Sequence, residues 1–358
     1  MPYKLIFEEK ISNLQILDEF GNIDENLMPE LKSDALLSLY KQMVLVRLFD
    51  DKALKLQRQG RMGTWASTYG QEAIQVGVPF ALDKNDWIVP SFRESGVMLC
   101  FGVLGELIYY FWRGSERGSL WDENIRCLPP SVPVGSQFLH SAGLGYAIKL
   151  KNEENIAVGF GGDGATSEGD FHEALNFAAV FGSQTLFFVE NNQWAISTPY
   201  SKQTNSSSIA QKGLAYEIES LQVDGNDIFA VILSVKNARE KILKEKKPYL
   251  IEGLTYRLSD HTTADDAKRY RSEEEVKERL KKEPLKRFSL FLKKMNILNE
   301  KLEKEIEEEA KKEVESYVEK MENFPKPEAE EMVQFMYKEM TWNLKEQEKF
   351  LMEERENA

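Results

Sequence analysis

The sequence is poor in the residues that bind soft metals and staple small folds. It has two cysteines, Cys100 and Cys127, and three histidines, His140, His172 and His261. So few cysteines in 358 residues make no disulfide framework, and with three histidines they form no zinc-ligand pattern. Both stand in apolar or mixed stretches, so buried free thiols in a reducing compartment are expected. Positive charge is also scarce: 46 Lys and Arg face 59 Asp and Glu, a formal net charge of -13. That argues against binding nucleic acid through a basic surface. Long hydrophobic runs are missing too. The longest, Val97 to Trp112, is interrupted by Glu106 and is too short to span a bilayer. The opening MPYKLIFEEK has no signal-peptide core and carries acids that a transit peptide disfavours, so a cytoplasmic location is expected.

What the chain does have is enough apolar content, 42%, for a large core. Its most informative stretch is Ile156 to Pro199. Ile156 to Gly161 is a short apolar run ended by glycines, which predicts a strand. Asp170 to Phe181 puts Phe171, Ala174, Leu175 and Ala178 on one helical stripe, and Thr185 to Val189 predicts a second strand. Two parallel strands joined by a helix place ligands outside their carboxyl ends. The first end carries Gly162-Asp163-Gly164, and the second carries Asn191 and Asn192. A carboxylate in a glycine turn repels a bare phosphate but accepts one that brings a cation. Magnesium takes about six oxygens, usually one or two carboxylates with phosphate and water. Asp163, the amide oxygen of Asn192 and a carbonyl near Trp194 would supply protein oxygens. The amides of the glycine turn would face the phosphates. The pattern therefore reads as a magnesium–diphosphate cradle.

Gly159, Gly161 and Gly164 also match the G-x-G-x-x-G dinucleotide fingerprint, with Glu190 ending the next strand. That reading gives Asp163 and the two asparagines no role. A purely structural turn is the other alternative.

Gly-Asp-Gly, then 26 residues, then Asn-Asn resembles the thiamin diphosphate motif. The contexts EGDFHEALNFA and NNQWAISTP narrow the likeness to the alpha subunit of the decarboxylating component of 2-oxo acid dehydrogenase complexes, bacterial pyruvate dehydrogenase type. It extends from about Leu36 to the NLKEQ segment near the end. The resemblance implies an α/β, doubly wound, mostly parallel sheet with helices on both faces. It implies thiamin diphosphate and Mg2+ as cofactors. It also implies a separate beta subunit that completes an alpha2-beta2 heterotetramer and supplies the pyrimidine-side glutamate. The acyl group would pass to the lipoyl group of a dihydrolipoyl acyltransferase.

The remaining site residues follow in chain order. Trp87 to Val89 reads as a strand leading into Phe92-Arg93, where a guanidinium fork is well placed to hold phosphate. A surface ion pair between Arg93 and Glu94 is the plainer reading. The family's matching pair contacts the diphosphate. Pro133 to Gln137 is a turn before a small-residue helix, His140 to Leu150; Val134 matches the position that meets the cofactor pyrimidine through its backbone. The small residues themselves mean close helix packing. By the same matching, Gly162, Asp163, Gly164, Ala165, Asn192 and Trp194 bind the cofactor, with Asp163, Asn192 and the Trp194 carbonyl on the metal. His172 lies one turn past the cradle, but magnesium prefers oxygen.

Arg257 follows a strand from Tyr249 to Tyr256 and opens the loop Ser259 to Asp266. From its Asp and Thr content that loop reads as mobile surface. In the family it orders over the cofactor, with the matching histidine facing diphosphate and substrate. His261 and Arg257 are the implied catalytic pair. Some relatives in the family carry a phosphorylated serine directly after this histidine, where Thr262 stands here.

Three segments are expected: an N-terminal arm, 1–32, packing on a neighbour; the diphosphate-half binding α/β domain, 33–271; and a charged helical extension, 272–358, packed on the same domain. In the first helix, Ser33 is the expected cap and Gly60 the expected stop. Branched-chain 2-oxo acid and acetoin enzymes share the cofactor motif and stand as alternatives. The SDHTTADD loop departs from the Gly-Pro-His pattern of many bacterial pyruvate enzymes.

Overall fold

The computed structural model describes residues 10–356. Its strands are β1 (Asn13–Leu14), β2 (Trp87–Val89), β3 (Ala157–Gly162), β4 (Thr185–Asn191), β5 (Trp194–Ala195), β6 (Thr198–Pro199), β7 (Glu219–Asp224) and β8 (Tyr249–Leu254). Six form one sheet in the order β1-β7-β8-β4-β3-β2, with every pair parallel. The other two, β5 and β6, form a small antiparallel hairpin. Parallel strands covered on both faces need continuous apolar runs. Here Leu186, Phe187, Phe188 and Val189 of β4 are wholly buried, as are Ala157, Val158 and Phe160 of β3. In the register Gly162 lies beside Glu190, so the carboxyl ends of β3 and β4 are neighbours.

The helices before the cradle are α1 (Ser33–Arg58), α2 (Glu72–Ala81), α3 (Ser95–Cys100), α4 (Gly105–Trp112) and α5 (Ser136–Leu150). Next come α6 (Gly169–Phe181), α7 (Tyr200–Gln203) and α8 (Ile228–Glu245). The C-terminal set is α9 (Glu273–Leu280), α10 (Pro284–Lys294), α11 (Glu300–Asn323), α12 (Glu331–Gln334) and α13 (Trp342–Glu356). The longest apolar run is therefore two short helices, parted at Gly102, whose φ is +109°. No helix of the described residues is long and apolar enough to cross a membrane.

Several local expectations need correction. Ser33 does not cap α1: it is the helix's first residue, and the extended Lys32 precedes it with no side-chain cap bond. Gly60 follows the helix end with φ +72°, as a stop requires. The helix α5 starts at Ser136, four residues before His140, because Gly135 at φ +94° turns the chain directly into it. Small residues there mean close packing. A Cβ on Gly145 would sit 2.2 Å from the Thr185 hydroxyl, and one on Gly159 would sit 2.2 Å from that of Ser141. Cys127 is buried but Cys100 is half-buried; neither forms a disulfide. Burial raises both thiols, Cys100 to about 12.

Residues 1–9 of the expected arm lie outside the described residues. Residues 10–32 pack on this chain itself, with Asn13 and Leu14 joining its sheet and Asn22 meeting Lys294 of α10. There β1 pairs with β7, and Ile16 and Leu17 are buried in the core. The C-terminal helices join the same core. Phe288, Phe291 and Leu292 of α10, and Ile306, Ala310, Val314, Val318 and Met321 of α11, belong to one cluster with Leu39, Met43 and Phe49 of α1. Surface pairs such as Lys41–Glu309 add little to that contact.

Asp227 is the joint between arm and sheet. Its carboxylate accepts from the Phe229 and Ala230 amides at the start of α8 and from the Ile16 and Leu17 amides of the arm. Asp227→Ala removes one buried acceptor from four donors. It is expected to destabilise the chain by about 2 kcal/mol or more. A thermal midpoint equal to the parent's would show that the joint carries no stability.

Candidate active site

Both strand ends open onto one cavity of about 460 Å³. Gly162, Asp163, Gly164 and Ala165 form one wall, where β3 runs into a tight turn through Ser167. Asn192 and Trp194 come from the end of β4 and the hairpin beyond it. Phe92 and Arg93 follow β2, Val134 comes from the turn before α5, and His261 comes from the loop after β8. All ten residues expected to meet the cofactor thus line the same space. Arg257 does not: it lies wholly buried behind the wall.

The oxygen-bearing groups come together at the strand ends. Asp163 is 2% exposed, and burial holds its carboxyl above the ordinary range. One of its oxygens, Oδ2, accepts from Gln203 Nε2 at 2.6 Å. Asn192 Oδ1 accepts from the Trp194 amide at 3.3 Å, which fixes it as the acceptor end, while Nδ2 donates to Gln71 Oε1 at 3.3 Å. The Trp194 carbonyl accepts from Arg257 Nη1 at 3.1 Å and keeps a second lone pair. Beside Gly162 a Cβ would meet no protein atom nearer than 3.9 Å, so a side chain there would fill cavity space. A Cβ on Gly164 would strike that of Ala195 at 2.7 Å. This donor set of carboxylate, amide oxygen and carbonyl suits a hard divalent cation. Among the described residues no group of His, Cys, Asp and Glu offers a rival metal site.

The same cavity is lined by a buried cationic group. Arg93 is 6% exposed, and among the described residues neither it nor Arg257 is ion-paired. The surface pair with Glu94 is absent. Instead Arg93 Nη1 donates to the Ser67 carbonyl at 2.5 Å, and Nη2 meets both the His261 carbonyl and Nδ1 at 3.0 Å. Burial and the nearby Arg257 lower Arg93 to about 10. Among the described residues neither guanidinium makes a direct ion pair; carboxyls of Glu94, Glu190 and Asp50 act on Arg93 only through space, which leaves its fork able to meet an anion in the cavity.

Guanidinium groups only donate, so His261 Nδ1 must accept and the ring proton sits on Nε2. Burial first, then Arg93 and Arg257, depress its pKa to about 3, so the ring is neutral. The loop is not a mobile flap in this structure. The His261 amide donates to Asp265 at 2.8 Å, Thr263 donates to the Trp65 carbonyl, and Arg271 donates to three carbonyls of residues 257–259. His172 is elsewhere, with Nδ1 3.0 Å from the Tyr216 hydroxyl, and His140 is exposed.

Sequence reasoning missed part of the wall. Glu94 and Glu190 line the cavity, and burial raises both carboxyls, Glu94 to about 7. Gln75 donates to Glu190 and accepts from the Gly96 and Val97 amides, tying the end of β4 to α3. Thr64, Ala66, Trp112, Val132 and Ile196 give the cavity its apolar side. Glu190, a charged residue closing the apolar run of β4, was the available signal.

The Dehydrogenase E1 component family model matches residues 40–330. The chain is 39% identical over 342 residues to the Pyruvate dehydrogenase E1 component subunit alpha of Staphylococcus aureus strain Mu50, covering 95% of this chain and 92% of that protein. It is 38% identical, with the same coverage, to the protein of that name from Staphylococcus epidermidis strain ATCC 35984.

His261 gives the site a pH signature. Its folded pKa, about 3, lies below the unfolded value near 6.5, so its contribution to stability is present above about 6.5 and is lost as pH falls. His261→Gln keeps an acceptor and does not titrate. The stability gap between parent and variant is expected to shrink from pH 7.5 to 5. The slope stays below about 1.4 kcal/mol per pH unit, because the ring is partly solvated. A gap independent of pH, in thermal melts without ligand, would rule out the neutral, doubly approached ring.

Proposed function

The chain belongs to the dehydrogenase E1 component family, and from that premise we propose the alpha subunit of a thiamin diphosphate-dependent pyruvate dehydrogenase. The reaction decarboxylates pyruvate and passes the acetyl group to a lipoyl group on an acyltransferase component. One observation carries the reading. A buried, ion-pair-free Arg93 and a buried Asp163 face the same cavity, which makes an anion site and a cation site side by side. A metal-bound diphosphate satisfies both at once; a dinucleotide without metal would leave Asp163 uncompensated.

In this reading Asp163, Asn192 and the Trp194 carbonyl hold Mg2+. Arg93, with the amides of the 162–165 turn, holds the phosphates. Thiamin diphosphate, when bound, supplies the electron sink for decarboxylation. This chain's task is to bind, orient and keep charge in place. Arg257 acts through others, donating to the Trp194 and Ile196 carbonyls and approaching His261 at 3.3 Å. His261 offers its Nε2 proton to developing negative charge at the substrate or to the acyl transfer. A beta subunit supplies the pyrimidine side and its carboxylate, and the working unit is an alpha2-beta2 tetramer in the cytoplasm. The helical extension after residue 271 is a part of the same domain.

Calorimetric titration of the reconstituted assembly tests the reading against its rivals. Uptake that needs Mg2+ and thiamin diphosphate together is expected. Metal-free uptake of a dinucleotide, or no uptake with the partner still captured, would replace it with a dehydrogenase or a non-catalytic subunit. Asp163→Ala is expected to abolish magnesium-dependent retention of the cofactor; normal retention would remove the ligand assignment. His261→Ala is expected to keep cofactor binding while overall turnover falls roughly 10²-fold. Unchanged turnover would leave the loop a bystander. Assays with pyruvate, 3-methyl-2-oxobutanoate and acetoin should favour pyruvate.

A further inference from the structure

The cation site has a support that the strand-end motif does not contain. After Asn192 the chain makes the β5–β6 hairpin and returns as the short helix α7, whose last residue is Gln203. Two left-handed residues, Gln193 at φ +74° and Ile196 at φ +54°, turn it back. The Tyr200 amide donates to the Gln193 carbonyl at 2.9 Å and locks the return. Gln203 Nε2 then donates to Asp163 Oδ2 at 2.6 Å and to the Thr198 carbonyl at 3.1 Å.

Both of those partners accept, so only the amide nitrogen can face them. The orientation of the side chain is thereby fixed, and its oxygen is turned away from both. That oxygen, Oε1, is buried and has no hydrogen-bond partner among the described residues. Gln203 lies outside the lining of the cavity, so its side chain reaches the site only through Asp163. It occupies one oxygen of that carboxylate, Oδ2, and leaves Oδ1 for a cation.

We propose that Gln203 is a positioning residue for the divalent cation, orienting the Asp163 carboxylate through Nε2. The inference rests on the metal–diphosphate reading above. Outer-shell partners of this kind are worth about 10–100-fold in metal affinity.

The test uses the full assembly with its beta subunit and Mn2+ as probe, with free Mn2+ followed by electron paramagnetic resonance. Gln203→Met keeps the shape of the side chain and loses both polar atoms. The Kd for Mn2+ in the presence of thiamin diphosphate is expected to rise 10–100-fold. At saturating Mn2+, the Kd for thiamin diphosphate should return to the parent value, because Gln203 acts only through the cation. A Mn2+ Kd within twofold of the parent's would overturn the proposal. So would a loss that saturating Mn2+ does not recover, since that marks general damage to the pocket. Should the methionine variant fail to fold, Gln203→Asn answers the same question with the amide on a shorter stem, and the same two results count against it. Asp163→Ala, run in parallel, separates the levels. If it binds Mn2+ and cofactor normally, the metal reading itself fails. If it loses them while Gln203→Met does not, only the role of Gln203 fails.

Discussion

The site depends on one buried cation. Arg257 sits at the carboxyl end of β8 with no exposed surface, and its charge meets no carboxylate directly. A bare guanidinium there would cost several kcal/mol. Carbonyls and a hydroxyl offset that cost. Arg257 donates to the carbonyls of Trp194 and Ile196 and to the Tyr270 hydroxyl, and Tyr270 in turn donates to Asp265. Asp265 accepts the His261 amide, and His261 Nδ1 returns to Arg257. The circuit joins two loops far apart in sequence, the hairpin after Asn192 and the segment after β8. It also steadies Ile196, a β-branched residue at positive φ, a conformation that costs about 1–3 kcal/mol.

That circuit gives a segment rich in Asp and Thr a specific set of partners. Composition alone reads Ser259 to Asp266 as solvated loop, and most such segments are. Here its acids have specific donors: Asp260 accepts from the Ala267 amide and Asp265 from the His261 amide. Arg271 fastens the start of the loop by its carbonyls. The electrostatic result is a histidine held neutral between two guanidiniums. An anion arriving in the cavity would weaken the push of those charges and let the ring take up a proton more readily. Binding and proton affinity are thereby coupled through the same two side chains.

How much of this was legible in the sequence follows from the range of each interaction. The strands β3 and β4 were legible because a parallel sheet buries both faces and leaves an unbroken apolar run. Asp227 as a cap acts over only two or three residues, bonding Phe229 and Ala230, which is the range at which a sequence carries a local signal. Its second role, holding the amides of Ile16 and Leu17, spans more than 200 residues and left no local trace. Ser33 misled because a good capping residue can also begin a helix whose cap makes no side-chain bond. Asp163 and Asn192 could be paired in advance because adjacent parallel strands bring their ends together. Gln203 could not. Its approach to Asp163 depends on two left-handed residues that are neither glycine nor asparagine, and the sequence gives no reason to expect a turn there.

The cavity itself is asymmetric, and the asymmetry suits a shared site. Its charged side is built deeply: Asp163, Arg93, Glu94 and Glu190 are each no more than 6% exposed. Its apolar side is not covered in the same way. Val132, Val134 and Ile196 line the cavity and are each close to half exposed. Charge chemistry gains most where water is excluded, because the same groups act more strongly at low dielectric. This chain supplies the expensive part, the buried charges, and leaves the mouth as apolar surface. A second subunit seated on those side chains would exclude water from the reacting end without adding to the electrostatic cost of the anchor. That arrangement gives a physical reason to divide one site between two chains. The buried charges need a rigid strand-end frame, whereas an apolar mouth needs only a cover of matching shape.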